Sequence, residues 1–240
     1  MGQGAIRPIS VSTGEKDQVL GDLSAPQRLD ALVAGSGPWE VEIGFGKGRY
    51  LLERARREPE TRFLGIEVAG KYHGILVDRA RRRGLGNVAA IRGEALYLLS
   101  AVLPAGFARA VHVYFPDPWP KSRHHKRRLF DPESVDLVLS LLAPGGRLWF
   151  ATDFLEYGEL VEEILRSFPG VVVEPFAGPW PEGPRTHYET KYLREGRPIL
   201  RLGVGTAEPL GAELHPRGEP GVVAGWAPAA EDEPRDGEGS

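Results

Sequence analysis

Apolar residues along this chain fall into two alternating patterns, short continuous runs and longer stretches with an apolar position every third or fourth residue. The runs predict strands over Trp39–Ile43, Arg62–Val68, Asn87–Ile91, Ala108–Phe115, Arg147–Thr152, Val171–Glu174 and Arg197–Val204. The stretches predict helices over Lys47–Arg57, Lys71–Arg83 and Ala95–Val102. Another begins with Asp131 as N-cap, Pro132 at the first helical position and Glu133 in the first turn. Its Val135, Val138, Leu139 and Leu142 form one apolar stripe, and Tyr157, Leu160, Val161, Ile164, Leu165 and Phe168 form the next. These stripes are core. Strands alternating with helices of this length predict an α/β fold, a parallel sheet covered by helices on both faces.

Periodicity is weak before Trp39 and after Gly205. Residues 1–37 are therefore expected to form an N-terminal arm, partly mobile, with a short helix at Pro26–Ala34. Residues 38–205 form the folded domain, and residues 206–240, rich in Gly, Pro and acids, are expected to be a disordered tail. The net charge of −3 hides an asymmetry, because that tail carries eight acids against Arg217 and Arg235, which leaves about +3 on the rest. The whole-chain charge does not oppose a nucleic-acid partner. Cysteine is absent, which excludes disulfides and thiolate metal sites. With no apolar run of about 20 residues and no secretory leader at the N-terminus, the expectation is a cytoplasmic protein with no membrane partner.

Chemistry concentrates where strands end. Phe115–Arg128, FPDPWPKSRHHKRR, leaves a buried strand through Pro116, Pro118 and Pro120, which forbid helix and regular ladder. It offers the Asp117 carboxylate, the flat face of Trp119 and a cationic run from Lys121 to Arg128. That combination suits a base with its phosphates, and it equally fits a solvated basic loop with a structural Asp turn. Glu42-Ile-Gly44-Phe-Gly46-Lys-Gly48 follows the first of the predicted strands, with Glu67 nineteen residues beyond Gly48 at the end of the next. Glycines there let a ligand approach the backbone, and an acid at the second strand end can bind ribose hydroxyls. The dinucleotide fingerprint is incomplete, since Arg49 stands where its third glycine belongs. Glu42 would repel a pyrophosphate and suits a positively charged ligand; a purely structural turn is the alternative. Glu42, Glu67, Glu94, Asp117 and Asp153 all close predicted strands, on the edge where open parallel sheets bind ligands. Each could instead cap a helix. His124 and His125 lack zinc-pair spacing, so no metal is expected.

EIGFGKG, LGIEV, FPDPWPKSRHHKRR, LxPGG, ATDF and THYETKY occur here in an order and spacing that closely resemble the bacterial tRNA (guanine-N7-)-methyltransferases, over about Trp39–Val204. The resemblance implies a Rossmann-like class I methyltransferase fold with a seven-stranded, mostly parallel sheet. It implies S-adenosyl-L-methionine as cofactor, tRNA as partner, and methylation of a variable-region guanosine by a monomer or homodimer. By position, Glu42, Gly44, Gly46, Gly48, Glu67, Glu94 and Asp117 match the cofactor site, with Asp117 also in the catalytic role. Lys121, Arg123, His124, His125, Lys126, Arg127, Arg128, Asp153, Thr186, His187, Tyr188 and Glu189 match substrate-binding positions. The family often has Asp where Glu94 stands, and the N-terminal arm carries little of the usual family sequence. An RNA-binding protein on an inactive methyltransferase fold, or a methyltransferase with another substrate, are the alternatives.

Overall fold

The computed structural model describes residues 9–13, 17–20, 27–30, 32–132 and 134–206. Five parallel strands form its centre: β3 (Trp39–Ile43), β4 (Arg62–Glu67), β5 (Val88–Arg92), β6 (Ala108–Tyr114) and β7 (Leu142–Thr152). β8 (Val171–Pro175) and β9 (Leu200–Thr206) add to the β7 side, with β9 antiparallel between its neighbours. Preceding the expected strands, β1 (Ile9–Thr13) and β2 (Asp17–Leu20) form an antiparallel pair that docks on β5. Among the described residues the sheet therefore has nine strands, in the order β2-β1-β5-β4-β3-β6-β7-β9-β8, not seven. The seven expected strands are all present; the arm supplies the two extra ones. They escaped the periodicity because pairing holds them, β1 on β5 and β2 on β1, and not an apolar run of their own. Of the helix expected at Pro26–Ala34, α1 covers Gln27–Asp30. Residues 207–240 of the expected tail lie outside the described residues.

Alternation along the central strands separates two cores. Val41, Ile43, Leu64, Ile66, Val111, Val113, Leu148 and Phe150 pack on one face, against α4 (Ala95–Ala101), α5 (Val135–Ser140) and α6 (Leu155–Ser167). On the other, Phe63, Val88 and Ala90 pack against α2 (Arg49–Arg57) and α3 (Gly70–Arg82). A third cluster, Tyr50, Tyr114, Ala151 and Trp180, continues that second face under the segment that leads to α7 (His187–Arg194). The helix after the proline loop starts later than expected. Asp131 does accept from the Ser134 N–H at 2.9 Å and the Ser134 hydroxyl at 2.8 Å, but this closes a turn, and regular helix begins at Val135.

Strand order reverses between β3 and β6, so a crevice opens beyond their carboxyl ends. Backbone bonds carry the ladder past the strands onto this rim: Gly44 N–H to Ile66 O at 2.8 Å, Gly93 N–H to Glu67 O at 3.1 Å, and Phe115 N–H to Ala151 O at 2.7 Å. The loops that leave the rim are therefore fixed at their first residue. At the opposite end, the buried Asn87 amide donates to the carbonyls of Ala55, Glu58 and Thr61 at 2.9–3.1 Å, tying the end of α2 to β5. Replacing Asn87 by Ala takes the side-chain donor from three carbonyls, of which Glu58 O keeps the Thr61 N–H, and should lower unfolding free energy by about 1–3 kcal/mol in urea titrations. A loss below about 0.5 kcal/mol would show that water replaces the amide at no cost.

Candidate active site

The glycine loop between β3 and α2 turns left-handed three times, with φ of +71° at Gly44, +52° at Gly46 and +68° at Gly48. A Cβ at Gly44 or Gly46 would meet only open space, whereas at Gly48 it would lie 2.3 Å from Leu76 Cδ1. The loop thus presents backbone at two positions and packs against α3 at the third. Glu67, ending β4, holds it in place: Oε2 accepts from Gly46 N–H and Oε1 from Ala69 N–H, both at 3.0 Å. Each oxygen keeps a second lone pair for another donor.

Glu42 differs in kind. Its side chain is buried under α2, and Oε2 has no hydrogen-bond partner. Burial, reinforced by the Glu67 charge and only partly offset by the Leu51 N–H, pushes its carboxyl up to about 8. A buried carboxylate oxygen without a partner, beside exposed glycine backbone, is built to receive a donor or a cation from elsewhere.

Of the rim acids, Glu94 also caps a helix: its Oε2 accepts from Tyr97 N–H at 2.8 Å at the start of α4. Asp117 caps none. It stands exposed between two prolines on a loop where Phe115 (φ +54°) and Trp119 (φ +40°) both adopt left-handed backbone, which non-glycine residues resist. Arg128 holds this shape from inside. Its guanidinium donates to Pro118 O at 2.8 Å and Trp119 O at 3.4 Å and lies over the Tyr157 ring at 4.9 Å. The expected phosphate contact of Arg128 is corrected accordingly, because the side chain is buried and spent on the loop. Lys121, Arg123 and Arg127 remain exposed along the 3-10 turn Ser122–Arg127, with Arg127 stacked over Trp119 at 5.0 Å and the His124 ring edge-on to it at 5.6 Å. The side chains of His125 and Lys126 lie outside the described residues.

Asp153, beyond β7, pairs with Arg197 at 3.4 Å. The remaining expected residues sit on α7, which periodicity missed because this helix has no apolar stripe. Its one buried residue is Glu189. The signal in the sequence was Thr186-x-x-Glu189, a capping box: the Thr186 hydroxyl accepts from Glu189 N–H at 3.0 Å. Glu189 accepts from Arg185 N–H at 2.8 Å and from Arg201 Nε at 2.8 Å, so it anchors α7 and does not reach outward. That corrects its expected contact with substrate. Tyr188 is half exposed, with its ring 6.3 Å from Phe115 and 6.0 Å from Tyr192. His187 is exposed, and burial first, then Arg49, Lys47 and Arg79, hold it below the usual histidine range. The structure thus gathers the proline loop and α7 around one aromatic cluster.

Sequence reasoning missed a buried polar chain behind the rim: Glu40, His112, Tyr114 and Arg185. Burial alone would raise the Glu40 carboxyl. The His112 contact, Arg109 and Arg54 outweigh it and hold the group at about 2. Burial keeps His112 below its usual range, hence neutral. Its signal was the WEVEI strand, where a second acid on a buried face requires partners. Among the described residues, no group of three His, Asp or Glu is placed to hold a metal, and no helix is long and apolar enough to cross a membrane.

The Methyltransf_4 family model, a methyltransferase family, matches residues 36–202. A tRNA (guanine-N(7)-)-methyltransferase of Chromohalobacter salexigens is 41% identical over 181 residues, covering 75% of this chain and 72% of its own length. One of Leifsonia xyli subsp. xyli is 40% identical over 171 residues, covering 71% and 75%. Among solved structures, the 16S rRNA methyltransferase KamB matches with a TM-score of 0.58 at 13% identity, over 82% of this chain and 99% of its own. A 16S rRNA (adenine(1408)-N(1))-methyltransferase with cosubstrate SAM, from Catenulisporales acidiphilia, gives 0.57 at 19%, over 85% and 99%. At such identity the two structures speak for the fold alone, the class I methyltransferase fold that the sequence resemblance implied.

Glu42 makes stability depend on pH. The fold holds its proton up to about pH 8, whereas an unfolded glutamate releases it near 4.5. The folded state therefore binds more protons across that window, and stability falls as pH rises through it. Urea unfolding at about pH 5 and about pH 8 should show a smaller loss for Glu42→Gln than for the parent. Equal losses would place the carboxylate in water.

Proposed function

Because this chain belongs to the family of tRNA (guanine-N(7)-)-methyltransferases, we propose that it transfers a methyl group to N7 of a variable-region guanosine in tRNA, in the cytoplasm. Its residues fit S-adenosylmethionine. Glu42 Oε2, buried and unpartnered, takes the ammonium of the amino-acid end; Glu67, through its free lone pairs, takes ribose hydroxyls. The open backbone of Gly44 and Gly46 lies between these two acids. When bound, the cofactor supplies a methyl group on a cationic sulfur.

Guanine N7 carries an in-plane lone pair, so the chain needs no strong base. Its task is to hold the ring in line and to accommodate the positive charge that methylation leaves on it. Asp117 does this best. It is exposed, pinned between prolines, and its carboxylate can accept from the N1 and N2 donors of guanine or stabilise the cation. Tyr188 and Phe115 offer ring faces to the base, and Lys121, Arg123 and Arg127 meet the phosphates. One observation carries this reading: the unpartnered Glu42 oxygen and the strained, outward-facing Asp117 loop share a single rim.

Incubating the chain with labelled S-adenosylmethionine and bulk tRNA, then digesting to nucleosides, should give labelled 7-methylguanosine. Label in another nucleoside, or none, would overturn the reading. Asp117→Asn should cut single-turnover rates by about 10²-fold; a rate within about threefold of the parent would remove Asp117 from the chemistry. Replacing Lys121, Arg123 and Arg127 together by Ala should flatten the salt dependence of tRNA binding by about 0.7–0.9 log units for each phosphate no longer neutralised, with cofactor affinity unchanged. An unaltered slope would make the run solvated surface.

A further inference from the structure

Arg185 is a guanidinium buried in an aromatic cage, over Trp180 at 3.9 Å, Trp149 at 5.1 Å, Tyr50 at 5.3 Å and Tyr114 at 5.6 Å. Its Nη1 donates to the Tyr114 hydroxyl at 2.6 Å, and Nε donates to Glu182 at 2.6 Å. The Tyr114 hydroxyl is 2.9 Å from His112 Nδ1, and His112 Nε2 is 3.1 Å from Glu40 Oε2. Arginine can only donate and a carboxylate can only accept, so the run has one direction. Arg185 donates to Tyr114, Tyr114 to His112, and His112, carrying its proton on Nε2, to Glu40. Arg54 and Arg109 hold the far oxygen of Glu40 at 3.0 and 2.6 Å.

Burying a guanidinium is a poor way to stabilise a core, since well-packed apolar residues do as well or better. What this one does is geometric. Tyr114 immediately precedes Phe115, whose left-handed backbone launches the loop to Asp117. Arg185 immediately precedes Thr186, which caps α7, and its own N–H is gripped by Glu189. A single hydrogen bond therefore joins the residue from which the Asp117 loop departs to the residue before the α7 cap. Resting on the proposed activity, we infer that the Tyr114–Arg185 pair is the positioning contact that sets the distance between Asp117 and the base-facing side of α7. It acts first on guanine alignment, because the Glu42 and Glu67 contacts proposed for the cofactor are made from β3 and β4.

The test removes one atom. Tyr114→Phe leaves Arg185 and His112 short of a partner beside a cavity of about 310 Å³ that both line, which has room for water, so the variant should fold. Its kcat at saturating tRNA and S-adenosylmethionine should fall at least about tenfold, with the Kd of S-adenosylmethionine within about threefold. Amide hydrogen exchange should speed up at Phe115 and across α7 while the β4–β5 amides keep the parent's protection. Arg185→Lys keeps the charge but loses the planar fork, so it should show the same losses. Val138→Ala, on the buried face of α5, controls for stability: it should lower Tm with kcat and α7 exchange unchanged. Parent-like exchange at both segments in Tyr114→Phe, rescue by Lys, or losses matched by Val138→Ala would overturn the inference. A parent that forms no 7-methylguanosine would overturn the proposed activity instead, and the exchange readout would still decide the role of the pair.

Discussion

Two acids on one buried strand face constrain everything around them. Glu40 and Glu42 point the same way from β3, two residues apart and both under α2, where a lone carboxylate is costly. The fold answers the first from within, bringing Arg54 from α2, Arg109 and His112 from β6, and Glu40 stays ionised. The second is given only the Leu51 N–H, and it holds its proton into the neutral range. Identical side chains in near-identical burial thus divide into scaffold and site by what faces them. The glycine loop serves the same need, since its three left-handed turns lead into α2, whose Leu51 N–H meets Glu42.

The rim works by inward anchors and outward display. Arg128 and Glu189 both belong to segments expected to meet substrate, and both turn inside, one onto loop carbonyls and Tyr157, the other onto Arg201. Their neighbours are exposed as a result. Arg127 over Trp119, and Tyr188 beside Phe115, can face a large partner because the adjacent residue is fixed. A charged run read along the sequence is uniform; in space it alternates between holding and reaching.

Much of the architecture was legible because it rests on local signals. Apolar runs marked all seven strands of the central pattern, and Gly44, Gly46 and Gly48 marked the left-handed loop between β3 and α2. What stayed hidden depends on pairing at a distance. β1 and β2 exist through pairing, β1 with β5 and β2 with β1. The helix α7 buries an ion pair in place of an apolar stripe, so hydrophobic pattern passes over it. Arg128 looked like its neighbours because direction is not written in residue type. The Arg185 chain was invisible for the same reason, its members coming from three separate stretches of sequence, β3, β6 and the segment before α7.

The hairpin of β1 and β2 has a consequence away from the rim. A parallel sheet buried on both faces ends, at its edge, in a strand of unpaired amides flanked by apolar side chains, the surface most able to template another chain. Here that strand is β5, and Val11, Ser12 and Thr13 occupy the partners that Ile91, Ala90 and Ala89 would otherwise offer to a stranger. At the far edge β8 is short, charged at Glu174 by its pair with Arg147, and closed by Pro175. The arm thus covers the β5 edge and hands the free edge of the sheet to the four-residue β2.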